Sequence, residues 1–419
     1  MGIVAAVELL KVKLFARWQL KRTREVLKTR RVVIISGPRQ SGKTTLAQQT
    51  ITKHNSFITL DDKTILTAAL DDPLGFVRHA KGTMIIDEIQ KAPSLLLAIK
   101  QIVDANNRPG QFLLTGSADI RTLPTITDSL AGRVSHIRLR GLTIGEIMGK
   151  QPTFLTRAFQ KDWPLQIQGY DKSAVLNLAF RGGYPEVLKL AETERREWFE
   201  DYIKSLLSRD LRDITNIQRQ DVMKALLNDL SACSSKFMDV EAICSKLSIS
   251  RNTFNSYVNA LILLCLFEKV PPWIKTDYER VGRREKLFAT DTGLMAHLLD
   301  WRLSDVALDS DKSGKMIETL VFNELSALID LDYHYSLSHY RDRENREIDF
   351  IVRSDSGELL GVEVKAGSAV SRKDCRHMVW FKNNIVKDEP FIGIVLYTGE
   401  VTLPLGNDMY AVPIAALWS

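Results

Sequence analysis

Cysteine is scarce in this sequence. The 419 residues hold four, Cys233, Cys244, Cys265 and Cys375, with no C-x-x-C spacing among them. Three fall in apolar helical patterns, which fits buried thiols in a reducing compartment and excludes a disulfide framework or a zinc site. The cytoplasm is therefore the expected location. Long apolar runs are missing as well. The longest extends only from Ala260 to Phe267, far short of the ~18 residues that cross a bilayer, so no membrane contact is expected. The stretch Gly2 to Val7 is apolar but precedes its lysines and lacks a cleavage signature, which excludes a secretory signal. No internal repeat or low-complexity tract is evident. The charge imbalance is small, +6 over the whole chain, and gives only a mild lean toward acidic partners such as nucleic acid. What is present is a 45% apolar content and enough length for about three domains, each with its own core.

One stretch organises the rest. Gly37-Pro-Arg-Gln-Ser-Gly-Lys-Thr-Thr45 fits G-x-x-x-x-G-K-[ST]. It follows the β-branched run Arg31 to Ser36 and precedes a segment able to open a helix. Strand, phosphate loop and helix is the arrangement in which backbone N–H groups cradle phosphates and the helix dipole adds positive potential. Gly37, Pro38, Arg39, Gln40, Ser41, Gly42, Lys43, Thr44 and Thr45 are thus the expected ATP-binding residues. Lys43 is expected to reach the β- and γ-phosphates, and the Thr44 hydroxyl to ligate Mg²⁺. A second strand, Ser56 to Leu60, closes in Asp61-Asp62. Thr83-Met-Ile-Ile-Asp-Glu88 is then a short apolar strand ending in two carboxylates. Asp87 is expected to hold the metal and Glu88 to polarise the attacking water.

A further strand, Gln111 to Thr115, ends in Gly116-Ser117. Its polar end belongs beside the γ-phosphate, and Ser117, with Thr115 as the alternative, is the expected sensor; a helix N-cap is the competing role for that serine. Arg133 is the candidate arginine finger, with Arg121 and Arg138 as competitors. Ahead of all this, Glu8 to Arg31 shows a helical apolar period with a basic outer face. It reads either as a helix packed on the ATPase core or as a contact for nucleic acid or anionic lipid.

Gly37 to Thr45, Ile86-Asp-Glu-Ile-Gln90, Leu114-Thr-Gly-Ser117, Leu130-Ala-Gly-Arg133, Arg181-Gly-Gly-Tyr-Pro-Glu186 and Gly361-Val-Glu-Val-Lys365 together resemble the prokaryotic "ATP-binding protein" family. That resemblance covers nearly the whole chain apart from about the first thirty residues. It implies an AAA-type ATPase domain, related to the AAA+ and STAND ATPases, joined to a C-terminal domain of unknown function with a restriction-endonuclease-like fold. The Gly183-Tyr-Pro185 piece resembles the Gly-x-Pro element through which a STAND lid senses nucleotide.

Lys172 to Arg209 has helical apolar spacing, with Trp198, Tyr202, Leu206 and Leu207 on one face, and is expected to form a small lid. Residues 220–290 read as three helices and two strands, the pattern of a winged helix. Arg251, Asn252, Asn255 and Ser256 would open its recognition helix, and Arg280, Arg283 and Arg284 would lie on its wing. Last, Glu347 to Val352 is a strand carrying Asp349, and Leu359 to Lys365 one carrying Glu363 and Lys365 on one face. With Glu318 on the preceding helix, the set resembles the metal-dependent PD-(D/E)XK nucleases. In that reading Glu318, Asp349 and Glu363 bind Mg²⁺ and Lys365 steadies the attacking hydroxide. An alternating charged strand face is also what solvent exposure produces.

The sequence thus predicts an α/β protein. A basic N-terminal helix (1–30) precedes a P-loop NTPase core with a parallel sheet (31–150), a helical lid (151–215), a winged helix (216–295) and a nuclease-like α/β domain (296–419). The expected ligands are ATP and Mg²⁺, and the expected partners DNA and further copies of the chain. The C-terminal modules are expected either to cut DNA under ATP control or only to bind DNA or protein partners.

Overall fold

The computed structural model describes residues 14–52, 55–78, 82–116, 132–210, 219–275, 284–387 and 389–419. Helix α1 (Gln19–Leu27) leads into strand β1 (Val32–Ser36), the phosphate loop and helix α2 (Lys43–Gln48). Then come β2 (Ser56–Thr59), α3 (Lys63–Asp71), α4 (Pro73–Arg78), β3 (Met84–Asp87), α5 (Ser94–Ala105), β4 (Phe112–Gly116) and β5 (Val134–Arg138).

These five strands form one parallel sheet in the order β2-β3-β4-β1-β5. Parallel strands need both faces covered, and β1, β3 and β4 are buried along their whole length. The two-residue period divides their side chains. Val33 and Ile35 pack with Leu46 and α1, whereas Val32 and Ile34 pack with Leu95 and Ile99 of α5. Parallel register brings Ser36, Thr59, Asp87, Gly116 and Arg138 to a single edge of the sheet.

Among the described residues the N-terminal helix is shorter than the basic period suggests; Glu8 to Lys13 lie outside them. It begins at Gln19, because the segment before it is spent on anchoring. The Trp18 amide donates to Glu146 at 2.8 Å and its indole to the Lys150 carbonyl at 2.8 Å. Arg17 reaches the Ser41 carbonyl in the phosphate loop at 2.9 Å and the Arg140 carbonyl at 2.7 Å. Arg24 donates to the Gln49 carbonyl at 2.7 Å, and Arg22 to the Leu331 carbonyl. Part of the basic face therefore braces the core.

Helices α6 (Ile144–Ile147), α7 (Phe154–Phe159), α8 (Lys172–Arg181) and α9 (Glu192–Ser205) follow. Within the expected lid face, Tyr202, Leu206 and Leu207 are buried. Helices α10 (Gln220–Ala232), α11 (Val240–Leu247) and α12 (Arg251–Leu263) precede an antiparallel pair, β6 (Phe267–Val270) and β7 (Lys286–Ala289). Asp239 and Ser250 cap α11 and α12 through their side chains, which is why those helices start where they do. Arg280 and Arg283 lie outside the described residues.

The chain continues through α13 (Thr292–Leu298), α14 (Leu303–Leu308) and the long α15 (Ser310–Leu331) into β8 (Tyr335–Arg341), β9 (Glu347–Ser354) and β10 (Leu359–Lys365). After α16 (Arg376–Phe381) come β11 (Phe391–Tyr397), β12 (Leu403–Gly406) and β13 (Met409–Pro413). The second sheet is mixed, in the order β12-β13-β11-β10-β9-β8. Strands β8, β9 and β10 are antiparallel neighbours, whereas β10, β11 and β13 run parallel. Phe322 of α15 stacks on Phe288 of β7 at 4.5 Å, and Phe350 of β9 meets Phe288 at 5.4 Å. A single apolar cluster extends from Ile144 to Trp418, so the helical segments and one face of the C-terminal sheet share a core.

Candidate functional site

The phosphate loop turns through Gln40 and Gly42 at φ 59° and 93°, the left-handed region that glycine adopts without strain. Lys43 is buried, and its ammonium donates to the Gly37 and Pro38 carbonyls at 3.1 and 2.7 Å. Burial lowers its pKa; Glu88 and Asp87 oppose that shift. Thr44 Oγ1 donates to Asp87 at 3.0 Å, joining the loop to the end of β3. Thr59 Oγ1 also donates to Asp87, at 3.4 Å, and so does Thr115 Oγ1.

Glu88 sits at φ 60°, an uncommon conformation for a residue with a β-carbon, of the sort that concentrates at functional sites. Its amide donates to Thr115 Oγ1 at 3.3 Å, and its carboxylate accepts from the Gln90 amide. Thr115 therefore touches both acidic residues. Ser117, the first choice in the sequence, lies outside the described residues, as does Arg121. A cleft of about 1250 Å³ opens over this edge, lined among others by Lys43, Thr44, Glu88 and, from the opposite side, Pro185 and Glu186. The hard oxygen donors of Thr44 and Asp87, side by side at the phosphate loop, suit Mg²⁺.

The arginines separate by register. Val134 pairs with Val32, so Arg133 stands at the far end of β5 from the loop, and its guanidinium is paired with Asp104. It does not reach the nucleotide edge of its own chain. Arg138 does stand at that edge, opposite Ser36, and pairs with Glu268 at 2.8 Å. Arg140 pairs with Glu268 at 2.7 Å and with Asp330 at 2.6 Å. Burial alone would raise the Glu268 carboxyl, but Arg138 and Arg140 outweigh it and hold it at about 2.

A polar path leaves the loop toward the C-terminal half. Tyr202 OH donates to the Arg39 carbonyl at 3.4 Å and lies 3.1 Å from Tyr184 OH. Next to Tyr184, the Gly183 amide donates to Asp291 at 2.6 Å. Asp291 caps α13 just after β7. Asp291 is buried, and the burial raises its carboxyl even though backbone amides oppose it. No side chain fits at Gly183, where a β-carbon would come within 2.4 Å of the Leu142 carbonyl.

The C-terminal set is gathered as the sequence pattern implies. Register places Asp349 of β9 beside Glu363 of β10, and Asp349 accepts from the Val364 amide at 2.8 Å. Glu363 accepts from Lys365 at 2.8 Å. Burial first and the Asp349 charge second push both Glu318 and Glu363 up to about 8. One member is new. Lys286 of β7, 1% exposed, lies 3.3 Å from Glu318 and 3.6 Å from Asp349, and also pairs with Glu347. Among the described residues, no group of three or more His, Cys, Asp or Glu is arranged to hold a metal ion. Glu318, Asp349 and Glu363, the expected ligands, do not fit a metal in this arrangement. A lysine inside an apolar strand was the available signal, though in sequence it reads as an edge residue turned to water.

Comparisons with known proteins agree with the first half of this picture. The AAA domain family matches residues 29–148. Two families described as a Domain of unknown function match residues 173–305 (DUF8612) and 313–417 (DUF4143). The chain is 28% identical over 399 residues to the uncharacterized proteins Rv2008c of Mycobacterium tuberculosis and Mb2031c of Mycobacterium bovis, covering 94% of this chain and 82% of theirs. Among solved structures it resembles a Signal Transduction ATPase with Numerous Domains (STAND) protein of Pyrococcus horikoshii, at 16% identity and TM-score 0.26. That likeness covers 76% of this chain but only 46% of the other, so the chain spans less than half of that protein. A DNA replication initiation factor aligns over 75% of this chain and 92% of its own, at 14% identity and TM-score 0.25. Residues 29–148 thus match the AAA domain family and carry the phosphate loop at the edge of a parallel sheet. No described helix is long and apolar enough to cross a membrane.

Proposed function

We propose that the chain is a Mg²⁺-dependent ATPase whose nucleotide state is passed to its C-terminal modules. The observation that carries this is the Thr44–Asp87 hydrogen bond beside the buried Lys43. It sets a hydroxyl, a carboxylate and an ammonium at the mouth of one phosphate-binding loop. Thr44 and Asp87 would hold Mg²⁺, which supplies charge neutralisation to the phosphates. Lys43 binds the β- and γ-phosphates, and the Glu88 carboxylate, oriented by Gln90, positions and deprotonates the attacking water. Thr115 holds Asp87 and Glu88 in register. Lys43→Ala and Glu88→Gln test the reading in a hydrolysis and binding assay. Equal hydrolysis by the wild type and both variants would remove it.

The path from Arg39 through Tyr202, Tyr184 and Asp291 supports a nucleotide-sensing role for Gly183-Tyr-Pro185. Arg133, out of reach of its own loop, is left with a role across an interface in a homo-oligomer. Mixing Arg133→Ala protein with wild type should then lower turnover below the average of the two; strict averaging would exclude the finger.

For the output, α11, α12 and the β6–β7 pair form a winged-helix-like unit whose Arg251, Asn255, Lys269 and Arg284 line one cleft, a surface suited to DNA or a protein. The C-terminal module either cuts DNA through Asp349, Glu363 and Lys365 or binds without cleavage. Lys286 within the acid cluster favours binding alone. A cleavage assay on branched and duplex DNA with Mg²⁺ or Mn²⁺, comparing wild type with Lys365→Ala, separates them. Cleavage by the wild type above that of the variant would reverse the preference.

A further inference from the structure

We infer that Lys286 is the resident cation of the C-terminal acid cluster: while its ammonium lies among Glu318, Glu347 and Asp349, the cluster takes up no divalent ion. The inference concerns the nuclease-like cluster alone and does not depend on ATP hydrolysis.

The first support is the cost of the arrangement. Lys286 is followed by Leu287, Phe288 and Ala289, all buried, and is itself 1% exposed. An ammonium removed from water in an apolar strand is tolerated only where opposite charges meet it. Here they come from two elements, Glu318 on α15 and Glu347 and Asp349 on β9. The Phe237 ring lies 5.7 Å from the ammonium and helps to close the site. A lysine placed for solubility would have been turned outward.

The second support is competition for oxygens. A small divalent ion requires several oxygens converging at ~2.0–2.1 Å. Asp349 Oδ2 already accepts from the Val364 amide, its Oδ1 faces Lys286, and Glu363 Oε1 accepts from Lys365. Glu318 Oε1 faces Lys286 as well. An incoming ion would have to displace a buried ammonium from these oxygens.

The third support is where the lysine comes from. Glu318, Asp349 and Glu363 lie within residues 313–417, whereas Lys286 lies within 173–305, a segment matched by a different family. The blocking charge is therefore brought by a neighbouring module. The strand that carries it runs directly into Asp291, which holds the Gly183 amide. Withdrawing Lys286 means moving the β6–β7 pair, and the acid cluster is thus latched by the element next to the lid.

The test counts bound Mn²⁺ by electron paramagnetic resonance on the full-length chain without nucleotide. Wild type, Asp349→Asn, Lys286→Met and the double variant are compared at millimolar Mn²⁺. Any ion at Thr44 and Asp87 contributes equally to all four, so failure of the ATPase reading leaves the comparison intact. Wild type and Asp349→Asn should bind the same number of ions. Lys286→Met should bind one more, and the double variant should lose it. Should Lys286→Met fail to fold by circular dichroism, Lys286→Gln replaces it. A wild type holding one more ion than Asp349→Asn overturns the inference, whatever the lysine variants do. So does a folded Lys286 variant that gains no Asp349-dependent ion.

Discussion

The hydroxyls of Tyr184 and Tyr202 lie 3.1 Å apart, and Tyr202 also donates to the carbonyl of Arg39 in the phosphate loop. Tyr184 follows the glycine held by Asp291, so the contact joins the loop to the start of α13. Tyr202→Phe removes the hydroxyl and keeps the ring stacked on Trp198 at 5.1 Å. ATP affinity should change by no more than about tenfold, because a neutral hydrogen bond contributes only about 0.5–1.5 kcal/mol net. The ATP-induced change in amide exchange across residues 286–298 should shrink. An undiminished response would remove the relay.

At the loop, Lys43→Ala removes a charged donor and should weaken ATP binding by about 10- to 100-fold. Glu88→Gln should bind ATP normally and lose about 10²-fold or more in kcat. Fluorescent-nucleotide titration and phosphate release, measured on the same preparations, distinguish the two. Normal turnover in Glu88→Gln would take the general-base role away from that residue.

Arg140 ties the end of the ATPase sheet to Glu268 of β6 and Asp330 of α15. Arg140→Ala leaves Asp330 without this cation and Glu268 with Arg138 alone, and because both carboxylates keep some contact with water it should cost about 1–3 kcal/mol in urea unfolding. The Glu268 carboxyl, held at about 2 in the folded chain, gives this contact a direction in pH. Its stabilisation is complete above the unfolded carboxyl's range and is lost as pH falls toward 2. The loss caused by Arg140→Ala should therefore be smaller at pH 3 than at pH 7. An equal loss at both values would mean that Glu268 does not carry the coupling.

Glu324 is buried on α15, accepts from the Ile144 amide at 2.8 Å, and has one oxygen without a partner. Burial first, with the Glu146 charge adding to it and the Ile144 amide opposing, pushes its carboxyl up to about 8, from an ordinary 4.5. Between those values the folded chain keeps a proton that the unfolded chain releases. Stability therefore falls as pH rises, at up to about 1.4 kcal/mol per pH unit. Glu324→Gln should match wild type near pH 5 and exceed its melting temperature at pH 8–9. Glu318 and Glu363 titrate in the same window, so the difference between the two proteins, not the wild-type slope, is the readout. Parallel curves would show that Glu324 is not the group responsible.

What the sequence by itself determined is what lies contiguous along the chain. The Gly37 to Thr45 loop, the Asp87-Glu88 pair and the alternation of Glu363 with Lys365 each fit within one turn or strand, where local geometry fixes which atoms meet, and Asp349 is one hairpin away. The distant pairings were decided only by the tertiary structure. Register put Arg133 at the wrong end of its strand for its own loop, and the β3–β4 pairing gave Thr115 both acidic neighbours. Packing of β7 against α15 and β9 buried a lysine that its own strand leaves looking solvent-facing. Burial and charge pairing depend on the far side of the fold, and no spacing rule along one segment encodes what will be stacked against it.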